Sequence, residues 1–271
     1  MKILIVGHGF VGKAVDYGFS HPNVEKTIID PKYNNSLDDI DPRDYDCAFV
    51  CVPTPMGKNG RIDSSIIDDV LKSLKLAPLV IVKSTVTPDI VEQWPKHVVY
   101  NPEFLTEKSA NEQFIDPPFH ILGGGKYYVD IAEDLYKTHS LCNPCPVLKM
   151  TAVEASFVKY TINSFLATKV TFFNQLYDVI ADTDANFTTI INAVGMDKRI
   201  GHSHTKVPGF DGKQGFGGAC FPKDTSAFVS YNNKLTLLRR ATIINNMYRT
   251  KYDLDERERE QNVDYGQAEE E

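Results

Sequence analysis

Apolar residues in the first half of the chain come in short unbroken runs, and the stretches between them have helical spacing. "KILIV" at 2–6, "KTIID" at 26–30, "CAFVCV" at 47–52, "LVIVK" at 79–83 and "HVVY" at 97–100 read as strands, followed by "FHILGG" and by "PVLKM" at 146–150. Runs without polar alternation suit strands covered on both faces, as in a parallel sheet. "FVGKAVDYGF" and "DSSIIDDVLKSLK", the latter beginning at Asp63, predict helices. Strands alternating with helices predict an α/β fold, a Rossmann-type doubly wound parallel sheet over residues 1–150.

The period then changes. "TAVEASFVKYTINSFLATKVTFFNQLYDVIAD" has no Gly or Pro and predicts one long helix. Thr151 and Glu154 have the spacing of a capping box at its start. A second helix is expected from Asp184 to Gly195, then a Gly-rich loop over 196–221, then a last helix from Pro222 to about Tyr252. Residues 151–252 therefore read as an all-helical domain. Residues 253–271 hold nine acids and two arginines, and predict a disordered acidic tail.

The tail changes what the net charge of −7 means, since the rest of the chain is balanced at 27 acids and 27 bases. No basic stripe suggests nucleic acid. No apolar run reaches membrane-span length, and the opening run is too short for a signal peptide. A cytoplasmic protein is expected. The five cysteines, at 47, 51, 142, 145 and 220, are an odd number, and their one C-x-x-C, Cys142 and Cys145, has neither a second pair nor clustered histidines, with only His139 close, so neither a disulfide framework nor a metal is expected.

Candidate chemistry begins at "GHGFVG", where Gly7, Gly9 and Gly12 follow a strand and open a helix through Phe10 and Val11. Asp30 ends the next strand about twenty residues later. That context is a dinucleotide fingerprint, and the acid favours NAD over NADP. Thr54, Thr85, Glu103 and Glu107 lie just past strand ends, where such sheets bind ligands. Lys159 and Asn163 are four apart on the long helix and share a face. In "GFGGACFPKD", Cys220 stands in a glycine-softened loop, followed by Lys223 and by Asp224 at the start of a helix.

Taken together, "VPTP", "KSTVTP", "NPEFLTEKSA", "VKYTINSFLATKVTFFN" and "GFGGACFPKD" resemble the nucleotide-sugar 6-dehydrogenases, the UDP-glucose/GDP-mannose family, from residue 1 to about 250. The resemblance implies four-electron oxidation of a C6 alcohol to a uronate with two NAD. It implies that Cys220 forms a thiohemiacetal and then a thioester. Glu103 would be the base for hydrolysis, with Asp224 and Thr85 positioning water. Lys159 and Asn163 would stabilise the oxyanion. Cofactor contacts fall on the glycine loop (Gly7, Gly9, Phe10, Val11, Gly12), Asp30, Thr54, Thr85, Glu107 and Lys223. Substrate contacts fall on Glu103, Phe104, Leu105, Lys159, Asn163, Phe216, Gly217 and Cys220. The loop glycines are expected to let the sugar approach closely.

Two departures from the family pattern stand out. The loop before Cys220 is enlarged around Phe210–Gln214, and the family's second Rossmann-like domain has no counterpart, which implies a shortened form. A homodimer is expected through an apolar stripe of Phe228, Leu235, Leu238 and Met247 on the last helix. Two other readings remain open. One is a two-electron hydroxy-acid dehydrogenase, which shares the plan and the Lys/Asn pair without needing Cys220. The other is a non-catalytic module that binds nucleotide sugar or NAD.

Overall fold

The computed structural model of the chain describes residues 1–266. The chain divides into two compact units. The first comprises residues 1–54 and 63–159, the second residues 55–62 together with the chain from Tyr160 onward.

The first unit is built on strands β1 (Lys2–Val6), β2 (Glu25–Ile29), β3 (Cys47–Val50), β4 (Val80–Val82), β5 (Val98–Tyr100), β6 (His120–Gly123) and β7 (Val147–Met150). Their order is β2-β1-β3-β4-β5-β6-β7. All neighbours are parallel except β5 and β6, which meet antiparallel at Tyr100 and Gly123. The sheet is thus the expected parallel one, with a single antiparallel pair. Helices α1 (Phe10–Gly18), α2 (Ser65–Ser73), α3 (Pro88–Val91), α4 (Ala110–Ile115) and α5 (Lys126–His139) connect the strands.

Every residue of β3, β4 and β5 is buried, as their unbroken apolar runs require. One face of the sheet packs Ile3, Ile5, Phe49 and Ile81 against Phe19, Phe114 and Tyr136. The edge strand β7 is half-open, and its Lys149 pairs with Asp130 and Glu133. A charged lysine on an edge strand discourages pairing with another sheet.

The long helix α6 (Ala152–Ala181) opens with the expected capping box: Glu154 N–H donates to Thr151 Oγ1, and Thr151 N–H donates to Glu154 Oε2. The second unit continues with α7 (Phe187–Gly195), α8 (Phe221–Tyr231), α9 (Thr236–Arg249) and α10 (Glu256–Glu260). Asn186, not Asp184, caps α7 by accepting from Thr189 N–H.

The single last helix expected from Pro222 to Tyr252 is two helices. The chain leaves α8 at Asn232, where the Asn232 side chain accepts from Lys234 N–H and holds a turn. Of the stripe expected there for a partner, Phe228 and Leu238 are buried inside the chain at 7% exposed each, while Leu235 is half-buried and Met247 is 50% exposed.

Of the acidic tail expected at 253–271, residues 253–266 are not the disordered end that their acid count predicts, and residues 267–271 lie outside the described residues. Asp255 and Glu258 form a capping box for α10, and Glu258, Val263 and Tyr265 are buried. Composition misleads here because one acid is neutralised internally, by Arg249.

Residues 55–62 form a small excursion that belongs with the second unit. Met56 and Ile62 bridge antiparallel, Met56 N–H donates to Gln261 O at 2.8 Å, and Ser230 Oγ donates to Asn59 O at 2.9 Å. No described helix is long and apolar enough to cross a membrane.

Candidate active site

The glycine loop sits where β1 gives way to α1. Gly7 has φ +85°, a left-handed conformation in which a side chain is strained, and its N–H donates to Ile29 O. A Cβ on Gly12 would lie 2.0 Å from Gly7 O, so helix and loop touch through glycine. Gly9 caps α1, leaving the backbone donors around Phe10 and Val11 at a helix start, the arrangement that receives a pyrophosphate.

Asp30 follows β2. Its carboxylate accepts His8 N–H at 2.6 Å and Lys32 N–H at 3.0 Å. Burial pushes its pKa up, but these two donors and the Lys32 charge prevail and hold it below the usual carboxylate value. Asp30 therefore stays an anionic acceptor at the place a ribose diol would occupy. These residues fit an NAD adenosine half. His8 is a structural member of the loop, its ring bonded to Tyr33 Oη at 2.8 Å and Asp16 at 3.3 Å.

Past the next strands, Thr54 and Thr85 are brought together: Thr54 Oγ1 donates to Thr85 O at 2.8 Å, and both residues are buried. Beyond β5, Glu103 folds back to accept from Leu105 N–H at 2.6 Å. Lys159 of α6 reaches the same turn. Its Nζ donates to Glu103 O at 2.5 Å, lies 3.4 Å from Glu103 Oε1 and stands 5.1 Å above the Phe104 ring. The side chain of Glu107 lies outside what the structure describes.

Glu103, Phe104 and Leu105 line a cavity of about 240 Å³, together with Lys83, Asn101, Phe119 and His120. Lys83 went unnoticed in the sequence because "LVIVK" reads as a strand with a solvent-facing end. It is buried, its Nζ donates to Asn101 Oδ1 at 2.8 Å, and burial pushes its pKa down to about 8.

In the second unit, Cys220 is the cap residue of α8, with Pro222 in the first turn. Asp224 N–H donates to Cys220 O at 2.9 Å. The Asp224 carboxylate, 1% exposed, accepts from Lys223 Nζ at 2.6 Å and from Asn163 Nδ2 at 2.7 Å. Lys223 is thus engaged by its own neighbour inside the fold. Phe216 is packed inside the unit, its N–H held by Asn245 Oδ1 at 2.6 Å. Gly217 packs against Arg249 and Glu258 on the side where a Cβ would stand.

Comparison with known proteins fits both halves of this arrangement. Residues 33–140 match the NAD binding domain of the UDP-glucose/GDP-mannose dehydrogenase family, and residues 153–248 match its central domain, together about three quarters of the chain. UDP-glucose 6-dehydrogenase of Bacillus subtilis is 31% identical over 225 residues, covering 76% of this chain and 47% of the relative. That of Pseudomonas aeruginosa is 34% identical over 207 residues, covering 69% and 44%. The chain spans about half the length of the curated relatives it matches. The solved UDP-glucose dehydrogenase of Pyrobaculum islandicum superposes with a TM-score of 0.77 at 26% identity, over 91% of this chain and 68% of that one. With both domain matches in sequence order and the fold in agreement, the chain belongs to the UDP-glucose/GDP-mannose dehydrogenase family.

Proposed function

We propose that the protein is an NAD-dependent nucleotide-sugar 6-dehydrogenase that oxidises the C6 alcohol of a UDP-glucose-like substrate to the carboxylate. The observation that carries this reading is Cys220 as the cap residue at the N-terminal end of α8, in the same turn of chain as the buried Asn163–Asp224–Lys223 set. A hydroxy-acid dehydrogenase would need no thiol there.

Bound NAD supplies the two-electron acceptor, used twice. Gly7, Gly9 and Gly12 would let the loop approach its pyrophosphate, and Asp30 would hold its ribose. The first oxidation gives an aldehyde at C6. The Cys220 sulfur adds to that carbon as a thiolate, and the carbonyl oxygen becomes an oxyanion that takes a proton. The helix start behind Cys220 favours the negative charge that the step needs. The second oxidation converts the thiohemiacetal to a thioester. Water adds at C6, the C–S bond breaks, and the thiolate returns. The balance is one alcohol and one water consumed, two NAD reduced, one carboxylate formed and three protons released.

Lys159 and Asn163 would stabilise the oxyanion, Glu103 would take the proton of the attacking water, and Asp224 with Thr85 would orient it. Phe104 and Leu105 would border the sugar. We infer a homodimer in the cytoplasm, where the five free thiols stay reduced. Phe165, Phe172 and Val179 repeat every seven residues on α6 and are each at least 60% exposed, which supports a partner helix there.

The test is NAD reduction against a panel of UDP- and GDP-sugars, counting NADH per sugar. Two NADH per carboxylate supports the reading; one NADH per product refutes it.

A further inference from the structure

The loop that carries the thiol is tied down by residues the reaction does not use. Gly218, two residues before Cys220, donates its N–H to Glu258 Oε1 at 3.0 Å. The same oxygen accepts Arg249 Nη2 at 2.7 Å and Tyr265 Oη at 2.7 Å. The other oxygen, Oε2, accepts Asp255 N–H at 2.9 Å. Glu258 is fully buried and Arg249 is 1% exposed.

Burying a carboxylate and a guanidinium is unfavourable unless the geometry is good and the remaining donors and acceptors are matched. Here both carboxylate oxygens are matched, and one of the matched donors is the loop backbone itself. The sequence of the loop conforms to this contact. A Cβ on Gly217 would lie 2.2 Å from Arg249 Nη2 and 2.6 Å from Glu258 Oε1, so only glycine lets the loop lie against the pair.

The enlarged part of the loop is held from the same side. Arg249 Nη1 donates to Asp211 Oδ2 at 2.7 Å, and Lys213 Nζ donates to Asp253 O at 2.6 Å. Further along, Phe216 N–H is held by Asn245 of α9. Segment 211–218 is therefore anchored at both ends to α9 and the chain after it.

We propose that Glu258, itself held by Arg249 and Tyr265, is a positioning residue that fixes the loop at Gly218 and through it the place of the Cys220 thiol. It touches no reacting atom. It converts a glycine-rich segment, which would otherwise sample many conformations, into one that presents sulfur at a single position. The consequence for turnover rests on the dehydrogenase reading; the consequence for the loop does not.

The experiment uses the whole chain in three forms: parent, Glu258→Gln and Tyr265→Phe. Hydrogen exchange of the 211–219 peptide and the rate of iodoacetamide alkylation at Cys220 are measured, with α6 exchange as the control for global folding. Glu258→Gln should raise exchange in the loop peptide at least tenfold and change Cys220 alkylation at least threefold, with α6 protected as in the parent. Tyr265→Phe removes one donor and should give a smaller change in the same two readouts. In nucleotide-sugar turnover, kcat should fall about tenfold in Glu258→Gln with the KM for NAD unchanged. Parent-like loop exchange and alkylation in Glu258→Gln would overturn the proposal. So would loss of α6 protection in step with the loop in both variants, since that is a purely global role. If the parent turns over no nucleotide sugar, the enzymatic reading falls while the exchange and alkylation results still decide the clamp.

Discussion

Asn163 in the middle of α6 donates its side-chain amide to Asp224 in the first turn of α8 at 2.7 Å, and neither residue is more than 6% exposed. The same carboxylate holds Lys223. Asp224→Ala leaves that ammonium buried without its partner, a loss of about 3–5 kcal/mol. Urea unfolding should show it as a lower midpoint. Adding Lys223→Met should restore much of the stability without restoring NADH production. Recovery of both would show that Asp224 serves folding only.

Cys220 is the cap residue of α8 and part-exposed, and Ala removes only its sulfur, so Cys220→Ala should shift the melting temperature by only a few degrees. The variant should make no carboxylate, because no thioester can form. Mass spectrometry of the product decides the matter: uronate from the alanine variant removes covalent catalysis from the mechanism.

Asp30 holds the glycine loop through His8 N–H, and in the proposed reading it also binds the ribose. Asp30→Ala should therefore weaken NAD at least tenfold and narrow its margin over NADP, read by fluorescence titration of both. A parent protein that prefers NADP would contradict this assignment.

His120 is a pH-sensitive point in the first unit. Its ring lies 4.4 Å from that of Tyr136, its Nε2 is buried without a hydrogen-bond partner, and burial, helped by the Lys83 charge, lowers its pKa from 6.5 to about 4. As pH falls below 6.5 the unfolded chain takes a proton that the folded chain refuses until about 4, so stability drops across that window. The shift corresponds to about 3 kcal/mol at most. His120→Phe keeps the ring and removes the proton. Its stability should fall less than the parent's between pH 7 and pH 4; equal slopes would show that His120 is not responsible.

The proposed dimer is placed on α6. Phe165→Glu combined with Phe172→Glu places charge at two positions exposed in the single chain, so folding should be kept and association lost. Light scattering at micromolar concentration should give a dimer for the parent and a monomer for the double variant. A monomeric parent would end the proposal.

The sheet was legible because β1, β3 and β4 are unbroken apolar runs, and a run of that kind has few other places to go. The turn between α8 and α9 was also written in the sequence, as Asn232-Asn233, but the apolar spacing on either side concealed it. The site was harder to read. Glu103 and Lys159 meet across 56 positions, and nothing local marks them as partners; only resemblance to a family assembled them. Glu258 was invisible for a different reason. Charged residues in an acidic stretch are ordinarily solvated, and its burial depends on a guanidinium nine residues earlier and a tyrosine seven residues later.

The excursion at 55–62 gives the order of synthesis a physical meaning. Asn59 waits for Ser230, which is made 171 residues later. At 5–20 residues per second, that is a delay of roughly 10–30 s. During it Met56 is likewise without Gln261, whose carbonyl its N–H later meets. The nascent chain thus carries, at 55–62, a short segment whose hydrogen-bond partners, Ser230 and Gln261, are synthesised long after it.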